Sequence, residues 1–308
     1  MHAAAPEPRT TDERAAFAWA AVAIVLWGTL AAAVGDALDT VRGTTIVLWS
    51  FLVAALTLVA AELATGRGLA AFRAPPRVVL TGLLGIFGYH ALFFLALERA
   101  PIVQANLLNY LWPLLMVVLA PWIVGERLTG ATLVGAGLGF GGAALLVLGK
   151  APPGQAPAAA PALGFALAAL AAAAWSVYSL LLKRLGPVAE GRTALFLVVS
   201  VPPAALLAVL DQGVAGLAPP TGRALGVVVW MGVGPMALAF VAWGRALARG
   251  SAARIGALSY TDPLLSTLLV AWHLGRPLGA SVWVGMALIV GGASLPALAA
   301  RLRSRLVA

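Results

Sequence analysis

Cysteine is absent from the 308-residue chain, which excludes disulfides and thiolate metal sites. That absence says little about compartment, because a membrane chain seldom depends on such bonds. Charge is scarce too: only 10% of residues are Asp, Glu, Lys or Arg, and just 11 are acidic. Three histidines are present, none in an H-E-x-x-H pattern, and neither a G-x-S-x-G elbow nor an aspartate pair with diphosphate-metal spacing occurs. No catalytic, cofactor-binding or metal-ligating residue is therefore expected, and a membrane-embedded enzyme is the reading with least support.

What the chain does have is apolar sequence. With 62% hydrophobic residues and a mean hydropathy of +0.98, it has too little polar surface to enclose a soluble core. A helix needs about 20 mostly apolar residues to cross the hydrocarbon region. Ten segments qualify: Phe17 to Val34, Thr44 to Ala61, Val78 to Leu97, Val103 to Val124, Gly130 to Leu148, Ala162 to Leu182, Ala194 to Leu210, Ala224 to Trp243, Ala252 to Leu274 and Ser281 to Ala299. The fold class expected is an all-α integral membrane protein of ten transmembrane helices. The first span resembles a signal peptide in its Ala-rich flank, but it is read as retained, since its removal would leave one helix too few.

A net charge of +9 raises the question of nucleic acid, and the distribution of that charge answers it. With a cytoplasmic N-terminus, fifteen of the 20 Lys and Arg residues fall on the inner side, among them Arg73, Lys183, Arg192, Arg249 and Arg301. Arg42, Arg99, Lys150, Arg223 and Arg276 fall outside. This positive-inside bias sets both termini in the cytoplasm and leaves no nucleic-acid partner to invoke.

The chain also repeats itself. At an offset of 150 residues, Arg99 to Leu145 lies over Arg249 to Leu295 with 17 of 47 positions identical. The shared positions include Tyr110 and Tyr260, Pro113 and Pro263, Trp122 and Trp272, Gly135 and Gly285, and the pairs Gly141-Gly142 and Gly291-Gly292. Five spans per copy is an odd number, so equivalent helices run in opposite directions, giving inverted repeats within one domain. The first occupies residues 17–149 and the second 162–300, joined by a proline-rich extracytoplasmic linker at 150–161. Such a duplication commonly forms a site where its copies meet near the bilayer middle.

Polar chemistry concentrates in the fourth and ninth spans. Asn106, Asn109, Tyr110 and Pro113 share one helical face if the fourth is regular, and Gly256, Ser259, Tyr260, Pro263, Ser266 and Thr267 make the matching face of the ninth. Each proline is expected to free the carbonyl four residues back, at Asn109 and Ser259. Trp112 then stands about 100° from the Asn106 and Tyr110 line, and Asp262 is off the Tyr260 and Pro263 line. Tyr89, Trp112, Trp175, Tyr178, Trp243 and Tyr260 cluster near one level, whereas Trp19, Trp49 and Trp283 lie near helix ends and suit an interfacial belt. Two ionisable groups sit within spans, His90 and Asp262. A mid-bilayer aspartate costs about 2.5 to 3.5 kcal/mol on insertion scales, so Asp262 needs a partner, water or a function. For His90 a satisfied structural imidazole and a functional role remain open.

Two inverted five-helix repeats, the Trp27-Gly28 pair, a proline in the fourth helix of each repeat, then G-E-x-L (Gly125, Glu126, Leu128) and a Gly-rich fifth helix resemble the EamA-type drug/metabolite transporter superfamily. Tyr89-His90 and Asn109-Tyr110-Leu111-Trp112-Pro113 are most similar to the YddG-type aromatic amino acid exporters within it. The resemblance implies export of an aromatic or other neutral amino acid by alternating access through a central cavity, with Tyr89, His90, Tyr110, Trp112 and Trp175 at positions that line it. The substrate-binding set expected from all these readings is Tyr89, His90, Asn106, Asn109, Tyr110, Trp112, Trp175, Tyr178, Ser259, Tyr260 and Asp262. Arg276 stands in place of the usual glutamate and Asp262 in place of Trp112, which breaks the symmetry of the second repeat. Another small metabolite or a drug-like cation is the alternative cargo. The expected partners are the substrate and membrane lipid, with no cofactor and a monomeric state.

Overall fold

The computed structural model describes residues 10–30, 40–66, 72–100, 102–148, 161–186, 192–273 and 279–307. The linker expected at 150–161, apart from Pro161, and Arg276 lie outside these residues. Every regular element among them is helical: α1 (Thr10–Gly28), α2 (Gly43–Ala64), α3 (Pro76–Arg99), α4 (Ile102–Asn109), α5 (Trp112–Val124), α6 (Gly130–Leu148), α7 (Pro161–Leu185), α8 (Thr193–Gln212), α9 (Gly222–Arg249), α10 (Ala252–Leu258), α11 (Thr261–His273) and α12 (Ala280–Val307). Five helical stretches are long and apolar enough to cross a membrane: α2, α3, α7, α9 and Thr193–Leu217, in which α8 continues as a 3-10 turn.

Helix ends depart from the hydropathy reading where polar sequence continues a helix. α1 begins at Thr10, with Asp12 and Glu13 in its first turn, where the helix dipole favours negative charge. α12 runs on to Val307 through the basic tail. The larger correction concerns the fourth and ninth spans, which are each two half-helices. Pro113 sits in the first turn of α5 and cannot donate a backbone bond, so the chain tightens at Tyr110 and Leu111, with Leu111 N donating to the Leu108 carbonyl at 3.1 Å. Before Pro263 the same happens: Ser259 N is shared between the Ile255 and Gly256 carbonyls, and Asp262 N donates to the Ser259 carbonyl at 3.0 Å. The Ser259 carbonyl is thus satisfied locally, against the expectation that proline would leave it free.

α3 and α9 carry a second pair of irregularities. Each contains a π-helical turn, at Leu84–Gly88 and Gly232–Leu238. Such turns insert a residue into the helical ladder and often accompany functional sites. Gly85 in the first lets the Tyr178 ring lie against the backbone; a Cβ there would stand 1.9 Å from the ring.

α6 and α12 pack by their glycines. A Cβ on Gly135 would come 2.4 Å from the Gly292 carbonyl oxygen, and one on Gly142 2.6 Å from that of Gly285, so the backbones touch. Since 135 faces 292 while 142 faces 285, the two helices cross antiparallel. Gly141 and Gly291 face open space, so only one member of each glycine pair serves packing. The other extensive contacts include α2 with α8, α3 with α7, α1 with α9, α2 with α9, α5 with α7 and α5 with α10.

Candidate functional site

Five elements send aromatic side chains to one place. Trp175 of α7 is the hub: its ring centroid lies 5.5 Å from Trp27, 5.1 Å from Tyr89, 6.2 Å from Trp112, 5.3 Å from Tyr178, 5.6 Å from Phe240 and 6.3 Å from Trp243. Tyr89 and Phe93 are stacked at 6.0 Å, and His90 meets Tyr89 and Phe51 edge-on at 4.8 and 5.2 Å. Most pairs are tilted or edge-to-face, the geometry favoured by the ring quadrupoles, worth about 0.5–1.5 kcal/mol per pair beyond area burial. Trp112 occupies the start of α5, just past the helix break, so the angle computed for an unbroken helix does not apply to it. The Ser176 hydroxyl lies 2.8 Å from the Trp112 carbonyl and 2.7 Å from that of Ala172, and donates to one of the two.

The indoles divide into two kinds. Trp27 Nε1 donates to the Pro235 carbonyl at 3.0 Å, within the π turn of α9, and Trp243 Nε1 donates to Ser179 Oγ at 3.0 Å. Trp112 and Trp175, only 6% and 4% exposed, have no hydrogen bond from Nε1 among the described residues. Two tryptophans are tied into the scaffold by their N–H groups while two keep that donor available. Those low exposures also mean that the rings are closed on one another, and a substrate ring enters only if they part.

Next to the rings lies a polar group set. Asn109 Nδ2 donates to the Tyr89 hydroxyl at 3.1 Å, and its Oδ1 is buried with no partner. Asp262 Oδ1 is likewise buried and unpartnered, and Tyr89 and Tyr110 both lie within electrostatic reach of this carboxyl group. Asp262 falls in the first turn of α11. There the dipole favours a carboxylate by about 0.3–1 kcal/mol, which offsets only part of the roughly 2.5–3.5 kcal/mol insertion cost.

Other expected site residues are engaged elsewhere. His90 Nδ1 lies 2.6 Å from the Ile86 carbonyl; because a carbonyl only accepts, Nδ1 carries the proton, and the ring is tied to its own helix at the π turn. Ser259 donates to the Ile255 carbonyl at 2.9 Å, a bond within its own half-helix. Tyr260 is fully buried with its ring on Gly139, and its hydroxyl approaches the Leu114 backbone without forming a hydrogen bond. Asn106 is half-buried and its backbone carbonyl accepts from Tyr110 N. The proximity of Tyr89, His90, Asn109, Trp112, Trp175 and Tyr178 is direct; Ser259, Tyr260 and Asn106 lie outside the ring cluster.

Trp27, Phe240 and Trp243 join the cluster from outside the expected substrate-binding set, Trp243 alone of the three being among the central aromatics of the sequence. Glu126 and Lys183 also lie outside that set. Glu126 accepts from Ser251 Oγ at 2.7 Å, Ala252 N at 2.8 Å and Ala253 N at 3.1 Å, capping α10 from the far end of α5. Lys183 Nζ of α7 pairs with Glu126 at 3.3 Å and donates to the carbonyls of Leu247, at 3.1 Å, and Gly250. One ion pair thereby joins the ends of α5, α7, α9 and α10. The G-E-x-L spacing was the signal for Glu126; Lys183 carried none.

Comparison with known proteins gives this arrangement a family. The EamA-like transporter family model matches twice, at residues 14–148 and 162–297. An aromatic amino acid exporter YddG of Ancylobacter novellus is 38% identical over 281 residues, covering 91% of this chain and 96% of that protein. The YddG of Salmonella typhimurium is 25% identical, covering 92% and 96%, and a Streptantibioticus cattleyicolor protein named "Probable terminal-alkyne amino-acid exporter" is 29% identical, covering 78% and 80%. A solved crystal structure 35% identical in sequence superimposes with a TM-score of 0.86, covering 94% of this chain and 99% of that one. The chain belongs to the EamA-like transporter family.

Proposed function

We propose that this protein exports an amino acid, aromatic or otherwise neutral, across a bacterial inner membrane by alternating access. The observation that carries this reading is the convergence of Trp27, Tyr89, Trp112, Trp175 and Trp243 from five elements beside two broken helices. The rings supply walls for an apolar side chain, and Asn109, Tyr110 and Asp262 supply polar groups for its backbone end. Tyr178 and His90 shape the cavity from behind, while Asn106, Ser259 and Tyr260 come to face it as the half-helices move. The names of the relatives agree with this cargo.

Ten spans in two inverted repeats, residues 17–149 and 162–300, are the architecture we propose, in a monomer with both termini cytoplasmic. Its support is internal. The antiparallel crossing of α6 and α12 and the twofold family match both agree with it. So does packing: the contact of α1 with α9 has its counterpart, 150 residues on, in that of α7 with α3. In this frame Glu126 and Lys183 close the cytoplasmic end.

The test is efflux from proteoliposomes loaded with single amino acids, with and without a pH gradient. Export of phenylalanine, tyrosine or tryptophan above protein-free vesicles is expected. Transport of none of the amino acids, with movement of an organic cation instead, would favour the alternative cargo, to which the unpartnered Asp262 is suited.

A further inference from the structure

We propose that Asn109 and Asp262 form an ammonium subsite, in which a protonated primary amine bridges Asn109 Oδ1 and the Asp262 carboxylate while the attached apolar group lies against the rings of Tyr89 and Trp175. This deepens the export reading and rests on it for the location of the site. Both unpartnered atoms are acceptors, and both are buried. Asn109 is itself 5% exposed and is fixed by its bond to Tyr89, so Oδ1 is presented in one direction. What two such oxygens lack is a donor, and an ammonium brings three with a positive charge. A substrate carboxylate brings neither.

No described residue donates to either oxygen. The two broken helices, 102–124 and 252–273, carry one lysine or arginine between them, Arg254, and its guanidinium is paired with Glu13. The subsite borders the ring cluster directly, since the Tyr89 ring lies 5.1 Å from Trp175 while its hydroxyl holds Asn109. An amine and an aromatic group separated by a short chain therefore span the two halves of the site. Selection falls on the amine, and a des-amino acid is rejected.

The experiment is competition binding to the purified wild-type protein in nanodiscs, followed by tryptophan fluorescence, with 2-phenylethylamine, 3-phenylpropionate and phenylalanine. Phenylethylamine is expected to bind and phenylpropionate to bind at least about tenfold more weakly, as loss of a charged hydrogen bond implies. Asp262→Asn and Asn109→Leu, checked for folding by thermal unfolding, should each weaken phenylethylamine by a similar factor, and Asp262→Glu should restore part of it. Equal binding of amine and des-amino acid by the wild type overturns the subsite and means that water satisfies these oxygens; this comparison needs no variant to fold. Wild-type affinity for phenylethylamine in both folded variants overturns it equally. Amine binding through Asp262 without transport of any amino acid leaves the subsite standing and refutes the export reading, whereas export with no discrimination between amine and des-amino ligands does the reverse.

Discussion

At the level of single residues, the tryptophans carry the most information because the structure separates those that hold the scaffold from those that keep a free donor. Trp243→Phe removes the bond to Ser179, an interhelical hydrogen bond worth about 0.6 kcal/mol on average in membranes. It should lower thermal stability and reduce transport less than the same change at Trp112, whose N–H is not tied into the scaffold. Trp112→Phe removes no such bond, yet it shortens a wall of the proposed cavity. Stacking energies of about 0.5–1.5 kcal/mol translate into a loss of transport of roughly two- to tenfold, with a smaller fall in unfolding temperature than Trp243→Phe causes, since no hydrogen bond is lost. Proteoliposome efflux and detergent melting curves read the two effects separately, and the opposite pattern would exchange the roles assigned. That these rings are central was legible in the sequence, since Trp112 and Trp175 fall mid-span. Their division of labour was not, because it depends on Ser179 and on a carbonyl that a π turn exposes at Pro235.

At the level of elements, apolar runs marked where helices exist, and the 150-residue echo paired Pro113 with Pro263, before each of which the helix is interrupted. The breaks at Tyr110 and at Ser259 to Tyr260 were not readable as breaks. Proline inside a helix is compatible with a kink or an interruption, and the 3.6-residue spacing used to assign faces presumes that neither occurs. The π turns left no signal in composition either. Glycine was half legible: the pattern announced close packing, but which glycine of each pair touches depends on the crossing of α6 and α12. A direct comparison follows from that. Gly135→Ala drives a Cβ to 2.4 Å from the Gly292 carbonyl oxygen, a backbone atom that cannot swing away, whereas Gly137→Ala meets nothing within 4 Å. Overpacking of this kind costs about 1–3 kcal/mol, so Gly135→Ala should melt several degrees below wild type while Gly137→Ala matches or exceeds it. Equal melting of the two would mean that α6 and α12 do not meet as described.

At the level of the whole molecule, the ends are held by different chemistry. One end is tied by Arg42 to Asp211 at 2.6 Å, with Thr44 and Gln212 completing the network. The other is tied by Glu126 and Lys183, with Glu13 paired to Arg254 and Arg245 over the Trp19 ring at 4.6 Å. The residue equivalent to Glu126 after 150 positions is Arg276, whose charge is opposite, so the cap made by Glu126 on α10 has no carboxylate to reproduce it at the other end. Under the alternating access proposed above, the Glu126 cluster opposes opening at its own end. Glu126→Ala deletes three hydrogen bonds to a carboxylate and one ion pair. Charged hydrogen bonds are worth about 1.5–3 kcal/mol each, so even one of them, counted net, shifts the open population about tenfold or more. Ala120, fully buried on α5, reports the opening when replaced by cysteine in a chain that has none of its own. Its modification by a permeant maleimide should be slow in the Ala120→Cys protein and at least several-fold faster once Glu126→Ala is added. Lys183→Met, which leaves the Glu126 cap on α10 in place, should give a smaller acceleration. If neither change alters the rate while both proteins remain folded, this cluster joins helices that do not separate during transport, and closure of this end must come from its other contacts, the packing of α5 on α10 and the Glu13–Arg254 pair.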